Sequence, residues 1–251
     1  MRKLFLMMLV SGITFSLSAQ KEKTDKEKDE PAPAKNVVKI NLFAIALKNI
    51  SLQYERAVAR KVTVAGTFRF MPKGSIPFKK TFINMADDPE TERQINNLSV
   101  GNVAFMPEVR YYFSKKGAFR GFYTGLFANI ASYSATVPIQ YDNNGKTETI
   151  PMSGKLTGIT GGLMLGAQFK LSNKIYLDWW ILGPQYGSSK GSLSGQKNMN
   201  AQEQQDLRDE LAGLDIPLTR FSYNVNSTGA TMDFKGPWAG VRSGLCIGFR
   251  F

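Results

Sequence analysis

The last thirteen positions of the chain, 239–251, admit very few local structures. Val241, Leu245, Ile247, Phe249 and Phe251 are apolar, whereas Gly240, Arg242, Gly244, Gly248 and Arg250 between them are tiny or charged. Only a β-strand sends two such sets to opposite faces, because its side chains alternate with period two. The same rule recurs upstream in runs of about ten residues, the length a tilted strand needs to cross a bilayer. Val38, Ile40, Leu42 and Ala44 oppose Lys39 and Asn41; Ile50, Leu52 and Tyr54 oppose Ser51, Gln53 and Glu55. Val62, Val64, Phe68 and Phe70 oppose Thr63, Thr67 and Arg69; Val103, Phe105, Val109, Tyr111 and Phe113 oppose Met106, Glu108, Arg110 and Tyr112. Three further runs follow. Phe122, Leu126 and Ile130 are assigned outward in the first; Leu163, Leu165, Ala167, Phe169 and Leu171 in the second; Ile175, Leu177, Trp179 and Ile181 in the third.

The non-apolar face of these runs carries Lys39, Glu55, Arg69, Glu108, Arg110, Lys170, Asp178, Arg242 and Arg250. Ionised groups at the centre of a soluble barrel need partners and cost a great deal. In a membrane barrel the faces exchange roles: lipid takes the apolar one, and the lumen is polar. The pattern therefore predicts an all-β fold, an eight-stranded antiparallel up-and-down transmembrane β-barrel over residues 37–251. Its lumen should be filled by Met106, Tyr123, Phe127, Met164, Tyr176 and Trp180, because eight strands enclose only as much space as side chains can occupy. Lys39, Glu55, Arg69, Glu108, Arg110, Asp178, Arg242 and Arg250 are expected to form a polar network of structural character inside it. The connections sort by parity, 59–60, 114–118 and 172–173 being short, while 72–99, 138–154 and 184–238 on the other side are long. The connection at 46–48 is the short exception. Barrels inserted from the periplasm place long loops outside. One loop helix is expected at 200–214, where Asn200 and Glu203 have capping-box spacing, Leu207, Leu211 and Leu214 recur helically and Gly213 helps to stop it. It suits a lid on the barrel, with a partner-binding helix as the alternative.

The front of the chain is different. Residues 1–19 run from a basic start, Arg2 and Lys3, through a short apolar core to small residues before Gln20, the layout of a cleaved secretory signal. Residues 20–36 are rich in Lys, Glu and Asp and end in Pro31-Ala32-Pro33-Ala34, which predicts a flexible periplasmic segment. A formal charge of +12 invites nucleic-acid binding, but the bases are scattered and an exported chain has little access to nucleic acid. The sequence contains no histidine, which removes the usual general base and the commonest metal ligand. No catalytic, cofactor or metal residues are assigned. The acidic loop residues Asp87, Asp88, Glu90 and Glu92 lack calcium-loop spacing and read as solvated surface, and Cys246 reads as an inward-facing filler.

The segments Val38-Lys39-Ile40-Asn41-Leu42, Ser51-Leu52-Gln53-Tyr54-Glu55-Arg56, Phe70-Met71-Pro72-Lys73-Gly74 and Gly248-Phe249-Arg250-Phe251 resemble a family of small Gram-negative outer-membrane β-barrel proteins of unknown function. The layout also resembles the OmpA-type transmembrane domain. The resemblance implies residence in the cell outer membrane, contact with outer-membrane lipid, and recognition by the barrel-assembly machinery through the strand ending in Phe251. It supplies no active site. The function expected is a non-catalytic structural or surface-interaction role; the alternatives are a small-molecule binding or narrow transport barrel and, less compatible with an ionic interior, a soluble lipocalin-like carrier.

Overall fold

The structure is a computed structural model that describes residues 34–251 apart from Asp87, Asp88, Asn144, Asp215 and Ile216. The expected signal at 1–19 and most of the segment at 20–36 lie outside the described residues. The fold is an antiparallel sheet of nine strands: β1 (Asn36–Asn41), β2 (Ile50–Ala59), β3 (Val62–Ser75), β4 (Ser99–Tyr112), β5 (Gly121–Asn143), β6 (Lys146–Lys170), β7 (Ile175–Gln196), β8 (Arg220–Asn226) and β9 (Gly229–Arg250). Each strand from β1 to β7 pairs with the next, β7 pairs with β9, and β9 pairs with β1, so eight strands form a ring of pairings. Asn36 exchanges hydrogen bonds with Phe251, and Arg250 Nε donates to the Ala34 carbonyl, so the described start of the chain is tied to its last residues.

Following paired residues around the ring from Val37 through Glu55, Ala65, Glu108, Phe127, Gly162 and Gln185 leads to Gly240, whereas the direct partner of Val37 on β9 is Arg250. A stagger of this size inclines strands by roughly 35–45° to the ring axis.

Nine strands stand where eight are expected, and the difference lies in the segments read as long loops. β5 and β6 continue in register to Asn143 and Lys146, across most of 138–154. β7 and β9 stay paired up to Gln196 and Gly229, and β8 adds to the far edge of β9. These extensions form a wall above one side of the ring. Its inner face holds Tyr141, Ile150, Met152, Val225, Ala230 and Met232, while its outer face is mostly polar. A strand with little apolar surface outside has no lipid-facing signal, which is why its alternation reads as loop.

Among the described residues four helices, not one, connect the strands: α1 (Leu42–Ala46), α2 (Lys79–Ala86), α3 (Pro89–Asn97) and α4 (Ala201–Ala212). α1 takes Leu42 and Ala44 out of the expected first strand, with Asn41 capping it and Ala44 buried. α4 has the expected capping box, Asn200 accepting from Glu203 N–H while the Glu203 carboxylate accepts from Asn200 N–H, and Gly213 as its C-cap. Leu207 and Leu211 are buried in the wall's inner cluster and Leu214 packs against it, so α4 covers that cluster. Lys197 reaches Glu148 at 3.1 Å, and hydrogen bonds from Lys146 and Lys197 hold the Glu148 carboxyl below its ordinary value.

Two residues keep their expected face without the exposure that face suggests. Ala167 faces outward but is covered there, because it lies between Phe122 and Trp179 on neighbouring strands. Lys170, expected inside, is exposed because it occupies the last rung of β6 opposite Tyr176. Asn200→Ala should loosen α4 by about 1 kcal/mol; faster amide exchange over 201–212, with ring strands unchanged, is the expected result.

Candidate functional site

Inside the ring, three cations and three anions meet. Lys39 Nζ touches Glu55 and lies 2.5 Å from Asp178. Arg110 Nη1 lies 2.7 Å from Asp178 and 3.3 Å from Glu55, while its Nε and Nη2 grip both oxygens of Glu108 at 2.7 and 3.1 Å. Arg242 Nη1 approaches Glu108 at 2.8 Å. With these six groups ionised the network is neutral. Their side chains are all fully covered except that of Arg242, which is 5% exposed.

Uncharged groups take up further lone pairs and donors, while Gln53 Oε1, Gln168 Nε2 and Arg242 Nε are buried without a hydrogen-bond partner among the described residues. The Tyr112 hydroxyl lies 2.7 Å from Glu55 and 2.6 Å from Gln168, and Gln168 also accepts from Lys39 at 3.2 Å. Thr63 donates to Glu55 at 2.5 Å, Tyr123 to Asp178 at 2.9 Å and Trp180 Nε1 to Asp178 at 3.0 Å. Gln53 and Arg242 both donate to Thr67. The guanidinium of Arg110 lies 4.5 Å from the Tyr123 ring centre, and that of Arg242 lies 4.0 Å from the Trp180 ring centre. Every ring strand contributes: Lys39 from β1, Glu55 from β2, Thr63 from β3, Arg110 from β4, Tyr123 from β5, Gln168 from β6, Asp178 from β7 and Arg242 from β9. Such a knot is stable only when complete, since desolvated charges are tolerated only with their partners.

Toward the short-turn end, Val37, Phe119 and Tyr176 close the interior. Phe119 comes from the β4–β5 turn at φ 65, in the left-handed region. Bulky residues rarely occupy that region; here it tucks the ring under the strands, edge-on to Tyr112 and Tyr176.

The sequence pattern of a family described as a protein of unknown function (DUF3575) matches residues 5–190. The chain belongs to the DUF3575 family. No curated protein matches it. Among solved structures, this DUF3575 chain is loosely similar to the N-terminal β-barrel domain of Pseudomonas aeruginosa OprF, at 11% identity and a TM-score of 0.29 over 87% of this chain and 98% of that one. The β domain of the Bordetella autotransporter BrkA gives 9% and 0.31 over 87% and 99%. The translocator domain of NalP from Neisseria meningitidis gives 9% and 0.23 over 89% and 90%.

Of the eight residues expected in the DUF3575 interior network, six join it, and Arg69 and Arg250 stand apart. Arg69 sits above it, donating to Asn102 at 2.8 Å. Arg250 sits at the opposite end, bonded to the Ala34 carbonyl and to the Tyr176 hydroxyl at 2.8 Å. Period-two reading gives the face of a residue but not its height, and these two differ from the rest in height. The roles of Gln53, Thr63, Thr67 and Gln168 are absent from the sequence reading for a related reason: an uncharged inward residue carries no sign to be matched. Cys246 is buried and free among the inward aromatics. Among the described residues no three His, Cys, Asp or Glu side chains are grouped to hold a metal ion.

Glu55→Gln removes the anion that Lys39 and Arg110 share and should cost about 3–5 kcal/mol. Replacing Lys39 and Glu55 together by Met should cost less than Glu55→Gln alone. Equilibrium urea unfolding in phosphatidylcholine vesicles checks both, and a double variant at least as unstable as Glu55→Gln would contradict the ionic account.

Proposed function

We propose that this chain is an integral outer-membrane protein whose ring is an eight-stranded up-and-down transmembrane barrel with a side-chain-filled lumen, β8 being appended to its outer wall. The observation that carries the reading is the inversion of polarity between the two faces. Leu52, Phe68, Phe105, Val109, Leu126, Leu163, Trp179, Ile247 and Phe249 are exposed on the outside of the ring, while Lys39, Glu55, Arg110 and Asp178 are buried within it. Water would reward the opposite arrangement. Along β4 and the residue after it the outward apolar residues run from Val103 to Phe113; at the strand rise and tilt above, that span covers about 25 Å of height, the thickness of the apolar band on such barrels. Aromatic side chains mark its lower rim, with Tyr111, Phe113, Phe122, Phe169, Phe249 and Phe251 exposed there, as on barrels anchored at a membrane interface. The short turns then face the periplasm, and the tall wall with α2, α3 and α4 faces outward.

The role we infer is structural or surface-interacting and without catalysis. The sequence has no histidine, and the interior ionisable groups are engaged with one another. The buried ion pairs and the bulky side chains packed around them also argue against free passage. Heat-dependent gel mobility and recovery in the outer-membrane fraction test the placement, and conductance of the purified protein at bilayer background tests the filled lumen. Conductance well above background would favour the transport reading. Leu126→Arg, at mid-height on the outside, should destabilise the folded protein in vesicles by about 2–4 kcal/mol, a cost specific to a lipid-facing position. A neutral effect would place that face in water.

A further inference from the structure

On the outer face of the wall, just above the apolar band, three cations lie in one line across three strands. Lys190 on β7 is directly opposite Lys235 on β9, and Lys235 is directly opposite Arg220 on β8. All three are exposed, and none makes an ion pair or side-chain hydrogen bond among the described residues. Asp233, two residues above Lys235 on the same face, pairs with none of them. Like charges directly opposite on a sheet repel across about 5 Å, so the row raises the energy of the bare wall and favours an anion that bridges it.

The surroundings define that anion. Below the row lies a concavity of about 500 Å³ lined by Tyr186, Gly187, Ser188, Leu218, Arg220, Lys235, Gly236 and Pro237. Tyr186 in its lining and Val241 just below on the adjacent strand, each 66% exposed, continue the apolar band of the ring. Leu218 is 86% exposed and held at φ 62, a left-handed conformation that a bulky residue seldom adopts and that here displays an apolar side chain in the open. From Tyr186 to Lys190 is four residues, about 13 Å along the strand and less in height once tilted. Flexible Lys and Arg side chains reach down over such a distance while keeping their charges at the interface. One occupant satisfies all of this, a molecule with acyl chains beneath and a doubly charged head above.

We propose that Lys190, Lys235 and Arg220, with the concavity under them, bind the phosphate-bearing headgroup of an outer-leaflet glycolipid whose chains lie along Tyr186, Leu218 and Val241. The proposal rests on the membrane-barrel reading and adds a fixed lipid site to it. Phosphate suits the row because Lys and Arg give it charge-assisted hydrogen bonds, bidentate in the case of Arg.

The test is native mass spectrometry of the full-length protein released from detergent, with three probes: diphosphorylated lipid A, the same lipid freed of phosphate, and inorganic phosphate. Wild type should bind diphosphorylated lipid A roughly tenfold more tightly than K190S/R220S/K235S, the equivalent of one good charge-assisted bond. The control K115S/K116S/K170S, which removes the same charge at the short-turn end, should bind as wild type does. Dephosphorylated lipid A should bind wild type as weakly as the phosphorylated form binds the triple variant. Equal binding by wild type and triple variant overturns the proposal, as does equal binding of the two lipids. Inorganic phosphate binding as tightly as the lipid also overturns it, since the site would then be one for free anions. Insertion into phosphatidylcholine vesicles, read by heat-dependent mobility, separates the two levels: failure of wild type to insert sinks the membrane reading, whereas insertion without lipid A selectivity sinks only this proposal.

Discussion

The interior of the ring has to hold charge where water does not reach, and the rest of the structure depends on how it does so. Lys39, Arg110 and Arg242 against Glu55, Glu108 and Asp178 leave no net charge, and the bidentate grip of Arg110 on Glu108 fixes two of the partners in orientation as well as distance. Because each ring strand supplies at least one member, the network also specifies register. A one-residue slip in any strand would turn its member to the outside of the ring and leave the others unmatched. A purely apolar filling would pack without favouring any one pairing of strands so strongly.

That dependence explains the placement of small residues. A side chain on Gly166 would strike the ring of Tyr123, and one on Gly162 would strike Phe127. The aromatic residues that donate to or stack on the network thus occupy room that β6 leaves vacant. Bulk on β5 and its absence on β6 are two halves of one arrangement, and Tyr123 reaches Asp178 only because its neighbour has no Cβ.

Most of the ring could be read from the chain because the outside of each strand is apolar wherever the inside is polar. Phe68, Phe105, Leu126 and Leu163 declare their face by being apolar where their neighbours are not. Above the band the rule lapses: Lys155, Lys190 and Lys235 point outward there, and strands such as the end of β7 resemble loops. α4 was legible since its cap is local, resting on Asn200 and Glu203 alone. α1 was not, because Leu42 and Ala44 continue the alternation of β1 into a helix. The interior residues showed their face and their sign but not their elevation, which depends on the stagger between strands and therefore on the whole ring. That is why Lys39 and Asp178 could be brought together in anticipation while Arg69 and Arg250 could not be set apart.

The strands are unequal in length: β1 has six residues, whereas β5, β6, β7 and β9 have 22 or more. The ring is therefore taller on one flank than on the other, like a cylinder cut on the slant. Anything arriving beside β1 to β3 meets a low sill, and anything arriving beside β6 and β7 meets a parapet. Lopsidedness of this kind gives the ring a front and a back.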